Sequence, residues 1–219
     1  KSNVTKFCLI STDKAASPLS TLGATKLLAE RLTIASGSYR TSKKLSLYSV
    51  RFGNVLGSRG SVLDLFLEQI RKNQPLTITN KEMTRFTMTP ENAVDLILST
   101  VKIAKGGEIF VLKMGVMKII DLATTIDKDA IQEVVGIRPG EKLHEEMIGV
   151  DDSLYTYEYD DHYKILPALN NWSSSKKLIK NGKRVEKGFS YTSENNEEWM
   201  SVKTLHEWIE NNKDKIGKI

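Results

Sequence analysis

The sequence predicts an α/β protein that forms the C-terminal half of a doubly wound parallel sheet, together with a smaller lobe. Apolar stretches rich in strand formers alternate along the chain with stretches of helical periodicity. The first apolar stretch runs directly into the polar residues 11–14, as a buried parallel strand does at its carboxyl end. Both patterns are typical of an open parallel sheet.

The first three predicted elements form one strand, helix and strand unit. Residues 4–10 are compact and apolar and predict a buried strand. Residues 21–35 place apolar side chains at helical spacing, with Gly37 as the expected end of the helix. Residues 45–51 predict a second buried strand, so the order indicates a right-handed crossover between parallel strands.

The alternation continues through most of the chain. We predict helices at 62–71, 90–104 and 119–125, strands at 75–79, 108–114 and 132–137, and a helix that begins near Gly140. After Asp151 the chain becomes acidic and rich in tyrosine, and then polar and basic. A last helix is predicted at 202–212.

A glycine-rich turn is missing from the sequence. No Gly-x-Gly-x-x-Gly motif follows a predicted strand, although an open parallel sheet that binds a dinucleotide carries one at its first strand-to-helix turn. The sequence also opens directly at a strand. We therefore expect the chain to begin in the middle of the fold, with the half that cradles a cofactor lying before Lys1.

Composition narrows the classes of function. The formal charge is +5, and the densest basic run, residues 176–184, lacks interleaved aromatic side chains, so we expect solvated surface and no nucleic-acid partner. Cys8 is the only cysteine, and no spacing of histidines and carboxylates resembles a metal site. We expect no metal, no membrane segment within this chain, and a reducing cytoplasm as the location.

Chemically active residues cluster after the first predicted strand. This strand ends in two hydroxyls, a carboxylate and an amine, contributed by Ser11, Thr12, Asp13 and Lys14. Parallel sheets bind their ligands at this end of a strand. Lys26 follows on the predicted helix, one turn after Leu22. Taken alone, however, the Asp-Lys dipeptide is more typical of a helix cap or a surface ion pair.

The spacing of these residues resembles the signature of short-chain dehydrogenases, in which a Ser or Thr at a strand end precedes Tyr-x-x-x-Lys on the next helix. Within that class, Ser-Thr-Asp-Lys-Ala at 11–15 and Gly-Ala-Thr-Lys at 23–26 resemble the UDP-N-acetylglucosamine 4,6-dehydratases of polysaccharide and protein-glycan biosynthesis. Three further blocks are similar to segments of that family in order and separation, namely residues 51–61, 83–86 and 138–145.

The resemblance implies a Rossmann-like NAD(P)-binding domain that includes residues 1–54 and 106–131, and a UDP-sugar-binding lobe with a C-terminal extension at 55–105 and 132–219. The implied reaction moves a hydride from C4 of the sugar to NAD or NADP, eliminates water across C5 and C6, and returns the hydride to C6. The implied partner is a UDP-sugar, and we expect a homo-oligomer.

By the same resemblance, Asp13 is the general acid at the C6 hydroxyl and Lys14 is the base that removes the C5 proton. Thr12 would bond the C4 hydroxyl, and Lys26 would hold the nicotinamide ribose. The remaining cofactor contacts would come from Ser11, Phe52, Gly53 and Asn54.

The residues that the resemblance assigns to the substrate are Asn54, Ser61, Thr77, Arg85, Arg138 and Glu141. The planar fork of arginine suits the oxygens of a diphosphate. Each of these residues also has a purely structural interpretation: the arginines as surface cations, Asn54 as a strand terminator, and Glu141 as a first-turn helix residue.

Leu22 departs from the family pattern, because tyrosine usually occupies this position and methionine replaces it in some members. Leucine cannot accept a proton from the C4 hydroxyl, so we expect Asp13 to do so through Thr12. Two rival interpretations stay open. One is a nucleotide-sugar epimerase or 4-reductase on the same scaffold, and the other is a non-catalytic UDP-sugar-binding protein.

Overall fold

The computed structural model describes residues 3–39, 45–168 and 179–212. Its helices and strands, in chain order, are β1 (Lys6–Thr12), α1 (Thr21–Tyr39), β2 (Ser46–Phe52), β3 (Asn54–Val55), α2 (Val62–Arg71), β4 (Leu76–Ile78), β5 (Thr84–Met88), α3 (Pro90–Ile103), β6 (Ile109–Leu112), β7 (Val116–Lys118), α4 (Ile119–Ile126), β8 (Gln132–Val134), β9 (Glu146–Ile148), β10 (Thr156–Glu158), β11 (His162–Ile165), β12 (Lys183–Arg184), β13 (Tyr191–Thr192) and α5 (Val202–Asn211). The chain folds as two compact units.

The first unit comprises Lys1–Phe52, Asp95–Lys113 and Glu146–Tyr191. Its sheet has the strand order β1-β2-β6-β11-β10-β12. Strands β1, β2 and β6 run parallel, and the later strands join antiparallel. The predicted strand, helix and strand unit of parallel strands is therefore confirmed. A helix must connect the first two strands, because parallel neighbours need a long crossover.

The core of this unit lies on the inner residues of the central strands. Tyr48, Val50 and Phe110 are fully buried there, and the ring of Tyr48 meets that of Phe110 edge to face. The prediction of a fully buried first strand is wrong in part. Phe7 is 47% exposed and Ile10 38% exposed, because β1 is the outermost strand of this sheet among the described residues.

The second unit comprises Gly53–Val94, Met114–Glu145 and Thr192–Ile219. Short strands form two small sheets, β3-β5-β7 and β4-β8. Helices α2, α4 and α5 pack on a core that includes Phe66, Leu76, Met117, Leu122 and Leu205. The helices α2 and α5 each begin at a serine whose hydroxyl accepts a backbone N–H of the first turn, which stabilises that end.

Two predictions of helix bounds are wrong. The helix expected near Gly140 does not form, because the chain turns there with Gly140 at a φ of 84°, a conformation that suits glycine. Gly37 does not end α1, which continues to Tyr39.

Part of the basic run, residues 176–178, lies outside the described residues, and its described basic residues are exposed. The assignment of a cofactor-binding domain and a substrate lobe stays a prediction.

Candidate active site

The end of β1 carries a hydrogen-bonded cluster of three consecutive side chains. Thr12 caps a short 3-10 turn over Asp13–Ala15, and its backbone is extended, so the chain changes direction at this residue. The Thr12 hydroxyl donates to Asp13 Oδ1 at 2.7 Å. Lys14 Nζ donates to the same oxygen at 3.0 Å. One carboxylate oxygen therefore accepts hydrogen bonds from a hydroxyl and an amine, and such hydrogen bonds are the contacts along which a proton can move.

Asp13 and Lys14 differ in their exposure to solvent. Asp13 is fully buried, whereas the side chain of Lys14 is 39% exposed. Within the part of the chain that the structure describes, Asp13 Oδ2 and Ser11 Oγ are buried and make no hydrogen bond. Leaving a buried polar atom unpaired costs about 1–3 kcal/mol. Native proteins keep few such atoms, so this pair supports the prediction that a ligand binds at the end of β1.

The turn that holds Asp13 and Lys14 is packed tightly against the start of α1. A side chain at Gly23 would place its Cβ 2.2 Å from the backbone oxygen of Lys14 and 3.0 Å from Pro18 Cβ. Only glycine fits there. Ser17 has a φ of 45°, and its hydroxyl donates to the carboxylate of Glu146, which fastens the loop to β9. Gly23, the glycine of the Gly-Ala-Thr-Lys motif, is therefore the residue in the sequence that indicates the close packing of α1 against this turn.

Lys26 lies on α1, and its ammonium group donates to the backbone oxygen of Ile10 at 2.9 Å. That oxygen belongs to β1, two residues before Thr12. The structure thus brings Lys26 to the same strand end as the cluster. Leu22, at the position of the usual tyrosine, is 58% exposed. Phe52 ends β2 and lies opposite Thr12 in the parallel register.

Arg51 belongs to the segment that resembles a ligand-lining block, but its side chain points into the first unit. The guanidinium binds both carboxylate oxygens of Glu30, with Nε–Oε1 at 2.9 Å and Nη2–Oε2 at 2.8 Å. Its Nη1 donates to Met147 O at 2.6 Å and to Asp152 Oδ2 at 3.3 Å. Burial alone would lower the pKa of Arg51, but the hydrogen bonds and charge of Glu30 raise it. Sequence reasoning missed this pair, since no local pattern links positions 21 residues apart.

In the second unit, Gly53 and Asn54 lie beside β5. A Cβ on Gly53 would come 2.8 Å from Phe86 Cβ, so the backbone approach requires glycine. Asn54 lies opposite Thr87 in the register of β3 and β5. In the described part of the chain, Asn54 Oδ1 and Thr87 Oγ1 are both buried without a hydrogen bond. This second group of unpaired atoms supports the predicted ligand contact of Asn54.

The other predicted substrate residues make structural contacts in the second unit. Ser61 caps α2 by accepting the N–H of Asp64, and the Thr77 hydroxyl accepts a hydrogen bond from Gln69 at 2.9 Å. Neither contact excludes a ligand. Their substrate roles stay predictions.

Arg85 is buried and binds the segment in which a helix was predicted but does not form. Its Nη1 donates to the backbone oxygens of Thr84 and Leu143, and its Nη2 donates to that of Lys142. These bonds explain why residues 142 and 143 are not helical, because the carbonyls that a helix would use point to the guanidinium. The predicted contact of Arg85 with a diphosphate is untested.

Arg138 and Glu141 form a local turn on the second unit. The N–H of Arg138 donates to Glu141 Oε2 at 3.3 Å, and the N–H of Glu141 donates to Arg138 O at 3.0 Å. The interpretation of Glu141 as a first-turn helix residue is wrong, because no helix starts there. Arg138 is exposed, and the predicted substrate contacts of both residues stay predictions.

Among the described residues, no three or more His, Cys, Asp and Glu side chains are grouped so that they could hold a metal ion. No helix in residues 3–39, 45–168 or 179–212 is long and apolar enough to cross a membrane.

The thiol of Cys8 is partly buried, and burial raises its pKa.

The three parallel strands β1, β2 and β6, with polar groups at the carboxyl end of β1, are typical of a Rossmann-type α/β protein. The chain belongs to the polysaccharide biosynthesis protein family, whose profile matches residues 1–167. It is 41% identical over 215 residues to the UDP-N-acetylglucosamine 4,6-dehydratase (inverting) of Campylobacter jejuni, covering 95% of this chain and 64% of that protein.

Two further proteins extend the comparison. The X-ray structure of Pen from Bacillus thuringiensis aligns with a TM-score of 0.85 at 39% identity, covering 95% of this chain and 63% of that one. The UDP-glucose 4-epimerase of Rickettsia typhi is 35% identical over 94% of this chain and 61% of its own length. The chain thus spans less than two thirds of each relative, by shares of 64%, 63% and 61%.

Proposed function

We propose that the protein is an NAD(P)-dependent UDP-N-acetylglucosamine 4,6-dehydratase that makes a 4-keto-6-deoxy sugar nucleotide for polysaccharide or glycan biosynthesis in the cytoplasm. The observation that carries the proposal is the joint hydrogen bonding of Thr12 and Lys14 to one buried carboxylate, that of Asp13. An elimination needs an acid and a base within reach of one substrate. The relatives named as dehydratases support the same reaction.

The first proton leaves the C4 hydroxyl through Thr12. Leu22 has no group that could accept it, whereas the Thr12 hydroxyl already donates to Asp13 Oδ1 at 2.7 Å. Thr12 takes the proton of the C4 hydroxyl while passing its own to Asp13, so the carboxylate becomes a carboxylic acid. C4 becomes a ketone as its hydride leaves.

The elimination then uses both partners of the cluster. Lys14, which must be deprotonated to act as a base, takes the C5 proton, and Asp13 gives its proton to the C6 hydroxyl, which departs as water. Asp13 is thereby restored as a carboxylate. Lys14 would then return a proton to C5 as C6 is reduced. The proton given to the leaving hydroxyl is therefore the one collected at C4, and the net change is the loss of one water.

The nicotinamide nucleotide, when bound, supplies a hydride acceptor at C4 and a hydride donor at C6. The unpaired, buried Ser11 Oγ at the end of β1 fits a ligand at this position. Lys26 lies at the same strand end and suits a ribose hydroxyl. We infer that these two residues and Phe52 hold the nicotinamide half, with Gly53 and Asn54 as further predicted contacts. NAD and NADP both meet this description.

The substrate in this proposal is a UDP-sugar. We propose substrate contacts for Asn54, Ser61, Thr77, Arg85, Arg138 and Glu141. The unpaired Asn54 Oδ1 is the strongest support among these, since it is buried without a hydrogen bond in the described part of the chain. A homo-oligomer is also part of the proposal.

The test is the product formed by the full-length protein from UDP-N-acetylglucosamine. Mass spectrometry should show the loss of one water, and in deuterium oxide the product should carry solvent deuterium at C5. Lys14→Ala should abolish turnover and exchange of the C5 proton. Lys118→Ala is the matched control, because Lys118 is 36% exposed and pairs with Glu82 at 3.1 Å, much as Lys14 pairs with Asp13. Unchanged exchange in Lys14→Ala would remove Lys14 from the mechanism.

A nucleotide-sugar 4-epimerase is the second candidate. The Rickettsia relatives named UDP-glucose 4-epimerase favour it. An epimerase would return a product of unchanged mass and would not need an acid and a base at C5 and C6. The same mass measurement therefore separates the two reactions.

A further inference from the structure

The buried ion pair of Arg51 and Glu30 has no part in the chemistry proposed above. The side chains of Arg51 and Glu30 are 1% and 0% exposed. Taking two charges out of water is costly, and well-packed apolar residues of similar volume often stabilise a fold equally well. Stability alone therefore does not account for this pair. A bidentate pair does fix geometry, because both N–H···O bonds must be satisfied together.

The pair joins α1, which carries Lys26, to β2, the neighbour of the strand that leads into the acid-base turn. Glu30 follows Lys26 by four residues on α1, so both side chains project from one face of the helix. Arg51 lies opposite Ser11 in the β1 and β2 register. A fork that locks Glu30 to β2 therefore fixes the rotation and the axial position of α1 relative to β1. Those two quantities decide where the ammonium of Lys26 lies.

The same guanidinium also holds β9. Its Nη1 donates to the backbone oxygen of Met147, the neighbour of Glu146. Glu146 accepts the hydroxyl of Ser17, which lies in the loop directly after the Asp13–Ala15 turn. One side chain thus connects the helix of Lys26 with the strand that fastens the acid-base turn.

We propose that Arg51 and Glu30 are positioning residues that set Lys26 and the turn of Asp13 and Lys14 relative to each other. This proposal rests on the proposed function, since it assigns those residues to the reaction. Neither residue touches the substrate. Their effect is on the distance between the groups that do.

The test replaces the pair by apolar residues, Glu30→Leu with Arg51→Met, in the full-length protein. The melting temperature should stay within about 3 °C of the wild type, because the fully buried charges of Arg51 and Glu30 are removed together. Asp152 loses its 3.3 Å contact with Arg51, but its side chain is 21% exposed and remains solvated. The turnover number should fall on the order of 100-fold, because a shift of about 1 Å has that effect on a catalytic geometry. Arg51→Lys keeps the charge and loses the fork, and it should lower the turnover number as well.

Glu108→Gln is the matched control. Glu108 is also a buried carboxylate of the first unit, but it accepts the backbone N–H groups of Lys105 and Gly106, which follow α3. It should lower the melting temperature without changing the turnover number per folded molecule. The proposal is overturned if the apolar pair or, should that variant not fold, Arg51→Lys keeps wild-type turnover per folded molecule.

A structural readout separates this proposal from the proposed function. In a crystal structure of Arg51→Lys, Lys26 Nζ should have left the backbone oxygen of Ile10, to which it donates at 2.9 Å in the wild type. An unchanged distance overturns the positioning role. An inactive wild-type protein with a displaced Lys26 in the variant would instead refute the dehydratase and leave the positioning intact.

Discussion

Replacing Gly23 by alanine tests whether the position of the acid-base turn controls the reaction. The added Cβ would lie 2.2 Å from the backbone oxygen of Lys14. A carbon normally approaches an oxygen no closer than about 3.3 Å, so the turn must move by about 1 Å. The obstacle is backbone rather than the end of a flexible side chain. The movement therefore falls on Asp13 and Lys14 themselves.

The expected loss of activity is larger than the expected loss of stability. A displacement of about 1 Å at the reacting groups lowers a rate on the order of 100-fold, equal to about 2.7 kcal/mol of activation free energy. Overpacking costs about 1–3 kcal/mol of folding free energy, and the better helix propensity of alanine offsets about 1 kcal/mol of that. The variant should fold and turn over slowly.

The assay measures formation of the 4-keto product at saturating UDP-sugar, together with urea unfolding. Gly37→Ala is the control, because Gly37 lies on the same helix and a Cβ there would meet nothing within 4 Å. That control should gain about 0.5–1 kcal/mol of stability and keep its activity. A Gly23→Ala protein as active as Gly37→Ala would refute the link between the turn and the reaction.

Three further predictions concern single groups. Thr12→Val should lower the turnover number about 100- to 10,000-fold, because it removes the hydroxyl of the proton relay. Thr12→Ser keeps a hydroxyl and should keep most of the wild-type turnover number. Equal turnover numbers for the two variants would exclude the relay. Burial raises the pKa of Tyr48 and Tyr159 to about 12. The pKa of tyrosine in the unfolded chain is about 10. The contribution of these two tyrosines to the free energy of unfolding should therefore be complete below about pH 10 and be lost as the pH rises through about 12. Urea unfolding across this pH range measures that loss. Ser201→Ala should cost about 1 kcal/mol of folding free energy, because it removes the cap on the N–H of Thr204, and an unchanged urea midpoint would contradict this.

Local patterns were enough to predict the elements that present the cluster. The apolar run before Ser11 predicted β1, and the helical spacing before Gly37 predicted α1. Both predictions were possible because the periodicity of strands and helices is visible in short stretches of sequence. The resemblance then pointed to Asp13 and Lys26, and the structure places both at one strand end.

Contacts between distant residues were beyond local patterns. Gly140 and Glu141 have the composition of a helix start, but the carbonyls that follow are bound by Arg85, more than 50 positions earlier, at separations of 57 and 58 residues. The pair of Arg51 and Glu30 joins elements separated by 21 positions. Such contacts depend on how helices and strands assemble, and a single sequence does not encode them in any fixed spacing.

Thr12, Asp13 and Lys14 are consecutive in the chain, and this contiguity has a consequence for engineering. The spacing of their Cα atoms is fixed by covalent geometry at about 3.8 Å, so the three residues stay neighbours when remote parts of the protein loosen. If only this tripeptide were grafted onto another parallel sheet, Gly23 would be missing, and the following helix could not pack as closely against the turn. A transplant should therefore carry residues 12–26 as one segment, because this segment contains both the trio and the glycine that leaves room for its turn.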